Sequence, residues 1–324
     1  MQAGRLLGKT TRAIQRRAGL HGAAMAVRSS SAFADRLKEL SLAKTAAQWK
    51  DNHPNHGKWK EQFATNGYLV IEDLLDQEEL DVYKEIYRQL MEGEIDSSSH
   101  RHDLGSHVEQ KQKGAENVCQ IMWPSVYVDQ LECGPLHQRT GEISRTILGD
   151  DLDFDFDMLI AKDPETNTPT PWHQDESYWP SMPDKRAVSC WVAMEHTTLD
   201  NGCMWFVPGS HLQPLRAHKP AAEGAHVLQC EASEDEGVPQ PLSPGSCTMH
   251  HGRTLHYSRG NSSKTTRRGF ITNYRPAAMV RWERELGFDH GKKGLDKVDH
   301  SIAGEVYRNA GHTEIKHTKP SKTA

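Results

Sequence analysis

The alternation of apolar and polar residues predicts a strand and then a helix in the first third of the chain. An Asn-Gly turn signal precedes the apolar run Tyr68–Ile71, which is typical of a short strand. Asp76 and Glu79 then form a capping box, and apolar residues follow at helical spacing through Met91. We therefore expect folded structure to begin near Trp59.

The stretch that follows this helix, residues 92–115, is polar and contains glycine, serine and histidine. Such a composition predicts a mobile loop. His100, His102 and His107 within it could bind a metal ion, but we favour a solvated loop. A second helix is expected over Pro135–Leu148.

From Phe154 onward the pattern changes to short β-type runs separated by turn signals such as Asn-Gly and Pro-Gly-Ser. The runs that we predict as strands are Phe154–Ala161, Ala187–Met194, Cys203–Val207, His226–Cys230, Cys247–His250 and Gly269–Tyr274. Many short strands after a helical start predict a mostly β fold with flanking helices. The expected form is a double-stranded β-helix, that is, a jelly-roll or cupin-type barrel.

The first 34 residues differ in charge from the rest of the chain. They contain six basic residues and no acidic one, and Leu7, Ile14 and Ala18 fall on one side of a helical wheel. We interpret residues 1–34 as an organellar transit peptide and expect a mitochondrial protein. The alternatives are a disordered basic tail and a cytoplasmic or other organellar location. Without these six charges the net charge of −5 becomes −11, which argues against a nucleic-acid-binding surface.

The remaining chain divides into an N-terminal extension at 35–58, a main domain at 59–285 and a charged, partly disordered tail at 286–324. The longest apolar stretch is far below the roughly 20 residues of a membrane span, so we expect none. The six cysteines are dispersed and form no CxxC pair, which favours reduced thiols over disulfides or a zinc ribbon. The expected partner is a small molecule, and the oligomeric state is left open.

A His-x-Asp motif supplies the first candidate metal ligands. Residues i and i+2 of a strand face the same side, so His173 and Asp175 could approach one metal ion together. A histidine from a distant strand would complete a two-histidine, one-carboxylate set, which leaves three positions of an octahedral iron(II) open. His251 and His256 are both available, and at five residues apart they would face opposite sides of a regular strand.

The region around His256 resembles the phytanoyl-CoA dioxygenase family of iron(II)- and 2-oxoglutarate-dependent oxygenases. In that family His-x-Asp is followed by His-x-Ser and by an arginine eleven positions past the histidine. Here Ser258 lies two positions and Arg267 eleven positions after His256. Coverage is about residues 60–276, and the other matching segments are Asn66–Val70, Met158–Lys162, Cys190–Glu195, Asn201–Cys203 and Pro208–His211.

The resemblance implies a role for each matching residue. The iron ligands would be His173, Asp175 and His256. Arg267 would hold the distal carboxylate of 2-oxoglutarate, with Ser258 adding a hydrogen bond. The residues implied to contact or line the cosubstrate pocket are Trp191, Met158 and Gln120.

The chemistry of Arg267 agrees with the implied role, because a planar guanidinium binds a carboxylate through two parallel hydrogen bonds. A turn begins at Asn261. We therefore expect the strand that carries Arg267 to run back beside the strand that carries His256. Arg268 should alternate to the other face as a solvent or rim residue.

The function that the resemblance implies is a 2-oxoglutarate-dependent dioxygenase that uses iron(II) and molecular oxygen, with ascorbate as a further candidate cofactor. A small organic or acyl substrate would be hydroxylated, with release of succinate and carbon dioxide. The alternatives are desaturation, epimerisation or cyclisation at the same iron site, and a non-catalytic metal-binding jelly-roll protein. A zinc hydrolase on a cupin barrel would leave Ser258 and Arg267 without a role.

Overall fold

The computed structural model describes residues 35–105, 116–222 and 227–293. The predicted transit peptide, residues 1–34, lies outside these ranges, and so does the predicted tail from residue 294 onward. His107 also lies outside them. Within the described ranges no helix is both long enough and apolar enough to cross a membrane.

The helices flank the strands in the chain order that the sequence predicts. Two of the helices match the prediction. The helix predicted over Pro135–Leu148 has these bounds, and the helix predicted after Asp76 begins with a capping box formed by Asp76 and Glu79. The helices are α1 at 35–43, α2 Ala46–Asn52, α3 Trp59–Asn66, α4 Gln77–Met91, α5 Pro124–Tyr127, α6 Pro135–Leu148 and α7 Ala277–Glu285.

Thirteen strands are present in the described ranges, and eleven of them form two larger sheets. The seven-stranded sheet has the order β1-β11-β6-β13-β4-β3-β2, the four-stranded sheet has the order β10-β7-β12-β5, and β8 pairs with β9. The strands are β1 Tyr68–Ile71, β2 Arg101–Asp103, β3 Val118–Met122, β4 Leu152–Lys162, β5 Thr170–His173, β6 Val188–Ala193, β7 Met204–Phe206, β8 Lys219–Pro220, β9 Leu228–Gln229, β10 Val238–Gln240, β11 Cys247–His251, β12 His256–Ser258 and β13 Arg267–Pro276.

The seven-stranded sheet separates the main core from a cavity. On β6, Cys190 and Val192 belong to the hydrophobic core that includes residues of α4 and α6. Their neighbours Ser189 and Trp191 point the other way and line the cavity. This alternation follows from the two-residue period of a strand, so one sheet supports both the helices and the candidate site.

The folded part of the chain is larger at both ends than we expected. Leu37 and Trp49 lie in the main core, so ordered structure begins upstream of Trp59 rather than at it. At the other end, Phe288 and His290 are buried, so residues 286–293 include a packed part of the segment that we predicted as a partly disordered tail. We call residues 286–293 the C-terminal arm.

The polar stretch after α4 is only partly a loop. Residues 101–103 form β2, whose partner is β3, and His100 is buried at 6% exposure. The Tyr127 hydroxyl donates to His100 Nδ1 over 2.5 Å, and His100 Nε2 donates to the Lys292 carbonyl over 3.1 Å. Pairing with β3 and these two hydrogen bonds order a segment whose composition alone predicts a loop.

Candidate active site

One cavity of about 570 Å³ receives side chains from both larger sheets. The three predicted iron ligands line it, as do the predicted cosubstrate residues Arg267 and Ser258. The pocket-lining residues predicted beside them, Trp191, Met158 and Gln120, lie there as well. Residues separated by more than a hundred positions in the sequence therefore meet at one place.

His173, Asp175 and His256 form a compact cluster whose potential ligand atoms all lie within 4.8 Å of one another. His173 and His256 are paired across β5 and β12. The Asp175 Oδ1 atom lies 3.6 Å from His173 Nε2 and 3.4 Å from His256 Nε2. Our expectation of one continuous strand was wrong in detail, because β5 ends at His173 and Asp175 begins a 3-10 turn over Asp175–Tyr178.

Backbone carbonyl groups fix the orientation of both imidazole rings. His173 Nδ1 donates to the Pro171 carbonyl over 2.7 Å, and His256 Nδ1 donates to the Thr254 carbonyl over 2.9 Å. Each ring therefore presents an unprotonated Nε2, which is the form that binds a metal ion. Burial also lowers the pKa of His173 and, more strongly, of His256, which favours the neutral ligand form.

The Asp175 carboxylate is held on the side away from the two ligand histidines. Its Oδ2 atom accepts from Ser189 Oγ over 2.6 Å and from His250 Nε2 over 3.2 Å. Asn273 Nδ2 in turn donates to Ser189 Oγ over 2.9 Å. Burial would raise the pKa of Asp175, but the adjacent histidines, His256 first, outweigh it and lower the pKa below the usual value. Oδ1 is thus left to face the metal position.

His250 is a residue of this site that the sequence reasoning missed. The only signal for it was strand alternation, since His250 and His251 point to opposite faces of β11. The centre of the His251 ring lies 6.3 Å from that of Phe63 and 5.6 Å from that of His211. Burial lowers the pKa of His251 to about 4. It is not part of the ligand cluster, so the geometry favours His256 between the two alternatives.

Arg267 reaches the cavity from the sheet opposite to His256, which corrects our expectation. Its strand β13 lies between β6 and β4, whereas the strand of His256 is in the four-stranded sheet. The guanidinium carbon lies 4.4 Å from the centre of the Trp191 ring. That ring packs on Gly269, where a Cβ atom would lie 2.2 Å from it. A side chain at position 269 would therefore clash with the Trp191 ring in this position.

The Arg267 side chain is suited to an anion that the protein itself does not supply. It is 1% exposed, its Nε atom has no hydrogen-bond partner, and its Nη2 atom lies 3.7 Å from the Met204 sulfur. No carboxylate pairs with it in the described part of the chain. Burial lowers its pKa to about 10, so it remains charged at neutral pH. A buried unpaired cation is costly, and a ligand carboxylate would relieve that cost.

Lys162 is a second buried basic residue whose role the sequence reasoning did not identify, and burial, together with the nearby Arg267 charge, lowers its pKa well below the usual value. It lies opposite Arg267 in the pairing of β4 with β13. Its Nζ atom donates to Ser258 Oγ over 2.8 Å, to the Arg259 carbonyl over 2.8 Å and to the Ser258 carbonyl over 3.3 Å. Because the Ser258 oxygen accepts from Lys162, its own proton is free to be donated to a ligand.

The remaining predicted residues occupy defined places around this site. Gln120 Nε2 lies 3.1 Å from the Met158 sulfur, so these two side chains form one wall. Arg268 faces away from the cavity as expected, but it is not a simple solvent residue. It pairs with Glu195 and lies 5.6 Å above the ring of Tyr87.

A mostly β fold with a buried cluster of two histidines and one carboxylate defines a cupin-like metalloprotein. A family model described as "Phytanoyl-CoA dioxygenase (PhyH)" matches residues 63–269. The chain therefore belongs to the phytanoyl-CoA dioxygenase family, and the resemblance noted in the sequence is confirmed.

Individual relatives agree with this assignment. Phytanoyl-CoA dioxygenase domain-containing protein 1 of Bos taurus is 32% identical over 132 residues, which are 39% of this chain and 45% of that protein. The match thus spans about half the length of that relative. A probable alpha-ketoglutarate-dependent hypophosphite dioxygenase of Stutzerimonas stutzeri is 26% identical over 68% of this chain and 78% of its own. The structure of EvdO2 from Micromonospora carbonacea var. aurantiaca, complexed with 2-oxoglutarate, aligns with a TM-score of 0.56 and 25% identity, covering 68% of this chain and 90% of that one.

Proposed function

We propose that the chain is an iron(II)- and 2-oxoglutarate-dependent dioxygenase that oxidises a small organic substrate and releases succinate and carbon dioxide. The observation that carries the proposal is the joint geometry of one cavity. A two-histidine, one-carboxylate cluster and a buried arginine without an anionic partner face the same space. Family membership and the 2-oxoglutarate complex of EvdO2 support it. We further propose that the two larger sheets are the halves of a double-stranded β-helix.

The side chains of the cavity would divide the work among them. His173, Asp175 and His256 would hold iron(II) on one face and leave the opposite positions open. Arg267 would bind the distal carboxylate of 2-oxoglutarate, and Ser258 would donate its free proton to the same group. Trp191 would keep water from the guanidinium. Bound iron and 2-oxoglutarate would supply the oxidising power, while the protein supplies orientation and a dry site.

The direct test of the proposal is the formation of succinate. Purified protein given iron(II), 2-oxoglutarate, oxygen and ascorbate should convert 2-oxoglutarate to succinate, and a metabolite extract should accelerate the conversion. Asp175→Ala protein serves as the control without a complete metal site and should form no succinate above background. Binding of iron and 2-oxoglutarate without any succinate would instead favour the non-catalytic metal-binding protein.

The same incubation separates the possible oxidative outcomes. A product that gains one oxygen atom indicates hydroxylation, which we favour. Loss of two hydrogen atoms indicates desaturation or cyclisation, and a product of unchanged mass indicates epimerisation. Mass spectrometry of the extract before and after incubation distinguishes these results.

We also propose that residues 1–34 direct the protein to mitochondria, on the basis of their six positive charges, the absence of acidic residues and their amphipathic pattern. These residues fused to a fluorescent protein should reach mitochondria, whereas a fusion with its arginines replaced by glutamine should not. A cytoplasmic signal for the unchanged fusion would contradict the proposal.

His250 is expected to position Asp175 through its hydrogen bond rather than through its bulk. His250→Phe should weaken iron retention on the order of tenfold, because loss of an outer hydrogen-bond partner typically lowers metal affinity by about 10–100-fold. His250→Gln should restore most of it, because the amide can still donate to Asp175 Oδ2. Titration of a metal chelator against each iron-loaded variant gives the affinity.

The pair of variants separates the two possible roles of His250. Its ring lies 5.2 Å from Phe206, so a phenylalanine preserves packing while removing the donor. If Phe retained iron better than Gln, packing and not hydrogen bonding would be the function of this side chain.

A further inference from the structure

A large part of the cavity is walled by apolar side chains. We call this part the substrate chamber, and the residues that define it are Met122, Phe156, Ile160, Trp179, Ile271 and Phe288. They come from five different regions of the chain, so the apolar character belongs to the chamber as a whole and not to one element.

The charged residues that border the chamber are already engaged within the protein. Arg101 binds the Glu116 carboxylate, with a shortest distance of 2.8 Å. Asp103 accepts from the backbone of Gly105 over 2.9 Å and of Val118 over 3.0 Å. Among the lining residues that the structure describes, Arg101 and Asp103 thus have partners within the protein, whereas Arg267 faces the cavity without a carboxylate partner.

Part of the wall of the chamber is formed by the C-terminal arm, which lies beyond the part of the chain matched by the family model. Phe288, His290 and Gly291 of the arm line the cavity. The His290 carbonyl accepts from Trp123 Nε1 over 3.1 Å, and the Lys292 carbonyl accepts from His100 over 3.1 Å. These bonds hold the arm at two separate points.

A buried ionic network anchors the arm more deeply. His290 Nε2 donates to Asp155 over 3.2 Å, and Glu283 at the end of α7 binds Arg275 over 2.5 Å. Arg284 also pairs with Asp155. Although Asp155, Glu283 and His290 could surround a metal ion, the guanidinium groups of Arg275 and Arg284 already pair with the two carboxylates. We therefore treat this cluster as an anchor and not as a second metal site.

We propose that the substrate chamber receives an uncharged alkyl or aryl part of the substrate and that Phe288 limits the size of that part. This inference rests on the proposed function because it calls the ligand a substrate. The chamber and its preference for uncharged groups do not depend on catalysis. A carboxylate, phosphate or ammonium group among these apolar side chains would lose its hydration, and the charged residues that border the chamber already have partners within the protein, which disfavours its entry. Charged groups of the substrate remain outside the apolar walls.

The first test compares three ligands with one ring system by isothermal titration calorimetry. The probes are 2-naphthylmethanol, 2-naphthoate and 2-naphthylmethylammonium, titrated into the full-length protein with 2-oxoglutarate present to occupy Arg267. The alcohol should bind at least about tenfold more tightly than either ion, the factor that corresponds to about 1.4 kcal/mol. The proposal would be overturned if either ion bound as tightly as the alcohol, or more tightly, in the unchanged protein and in Arg267→Leu protein.

The second test changes the wall itself. Phe288→Lys should shift the preference at least about tenfold from the alcohol towards 2-naphthoate, whereas Leu42→Lys, at a residue 72% exposed, should leave it unchanged. Phe288→Ala should improve the binding of 9-anthracenemethanol relative to 2-naphthylmethanol, and Phe288→Trp should weaken both. An unchanged order of probes in folded Phe288 variants would refute the role of the arm.

These titrations need no iron and no turnover, so they stand apart from the test of the proposed function. A protein that forms no succinate but prefers the neutral probe would overturn the oxygenase proposal alone. A protein that forms succinate but binds the ions equally well would overturn the chamber proposal alone.

Discussion

His256→Ala is expected to abolish iron retention, whereas His251→Ala should leave most of the iron bound. His256 Nε2 faces the Asp175 carboxylate at 3.4 Å and would be lost as a ligand, with two protein ligands left. The iron affinity should fall by more than the roughly 10–100-fold that is typical when a hydrogen-bond partner of a metal ligand is removed. Anaerobic loading with iron(II), followed by gel filtration and metal analysis, measures the retained fraction.

His251→Ala is a matched control because the two histidines lie five residues apart and both are largely buried. His251 contacts the rings of Phe63 and His211 on the far side of β11, so its loss should lower stability more than iron affinity. Equal loss of iron in the two variants, with both still folded, would mean that the ligand cluster described here is incomplete.

Local sequence patterns were sufficient for the elements whose signals are local. The capping box at Asp76 and the apolar spacing after it predicted α4, because both signals act within a few residues. The same holds for β4 and β6, whose apolar runs are bounded by turns. The motif spacing around His256 and its family resemblance also brought the three ligand candidates together, although they come from distant strands.

Sheet membership could not be predicted from the same signals. Alternation tells which face a residue points to, but not which strand lies beside it. Asn261 begins a turn, and from that turn we expected the strands of His256 and Arg267 to be neighbours. They belong to opposite sheets instead, and Lys162 bridges the gap by donating to Ser258. Under the proposed function, 2-oxoglutarate would lie between the two sheets.

Residues whose roles depend on long-range contacts were missed for the same physical reason. Lysine is normally a surface residue, yet Lys162 is fully buried. Its burial is possible because three oxygen atoms accept hydrogen bonds from its Nζ atom. The C-terminal arm carries no local pattern that points to the cavity, and strand alternation alone gives the face of His250 but not its partner Asp175. Their positions follow from register and from ionic anchoring, which a single sequence does not display.

Arg267→Leu should raise the dissociation constant of 2-oxoglutarate well over tenfold while iron binding stays largely intact. The loss of a charged pair in a desolvated pocket typically costs about 2–5 kcal/mol, and Arg267 is 1% exposed. The proposed iron ligands lie on β5, on β12 and in the 3-10 turn after β5, and none of them is paired with the Arg267 side chain. Titration of 2-oxoglutarate into the iron-loaded variant without oxygen, followed by the metal-to-ligand charge-transfer band, measures the change.

Arg268→Leu is the neighbouring control and should leave the 2-oxoglutarate affinity close to that of the unchanged protein, because Arg268 faces away and pairs with Glu195. Normal affinity in Arg267→Leu protein would remove the main reason for proposing a 2-oxoglutarate enzyme. Lys162 is another buried basic residue, opposite Arg267 in the pairing of β4 with β13, but its Nζ atom already donates to three oxygen atoms of the protein. Lys162→Met should therefore weaken 2-oxoglutarate binding less than Arg267→Leu, by releasing Ser258 rather than by removing a direct contact. The reverse order would assign the distal carboxylate to Lys162.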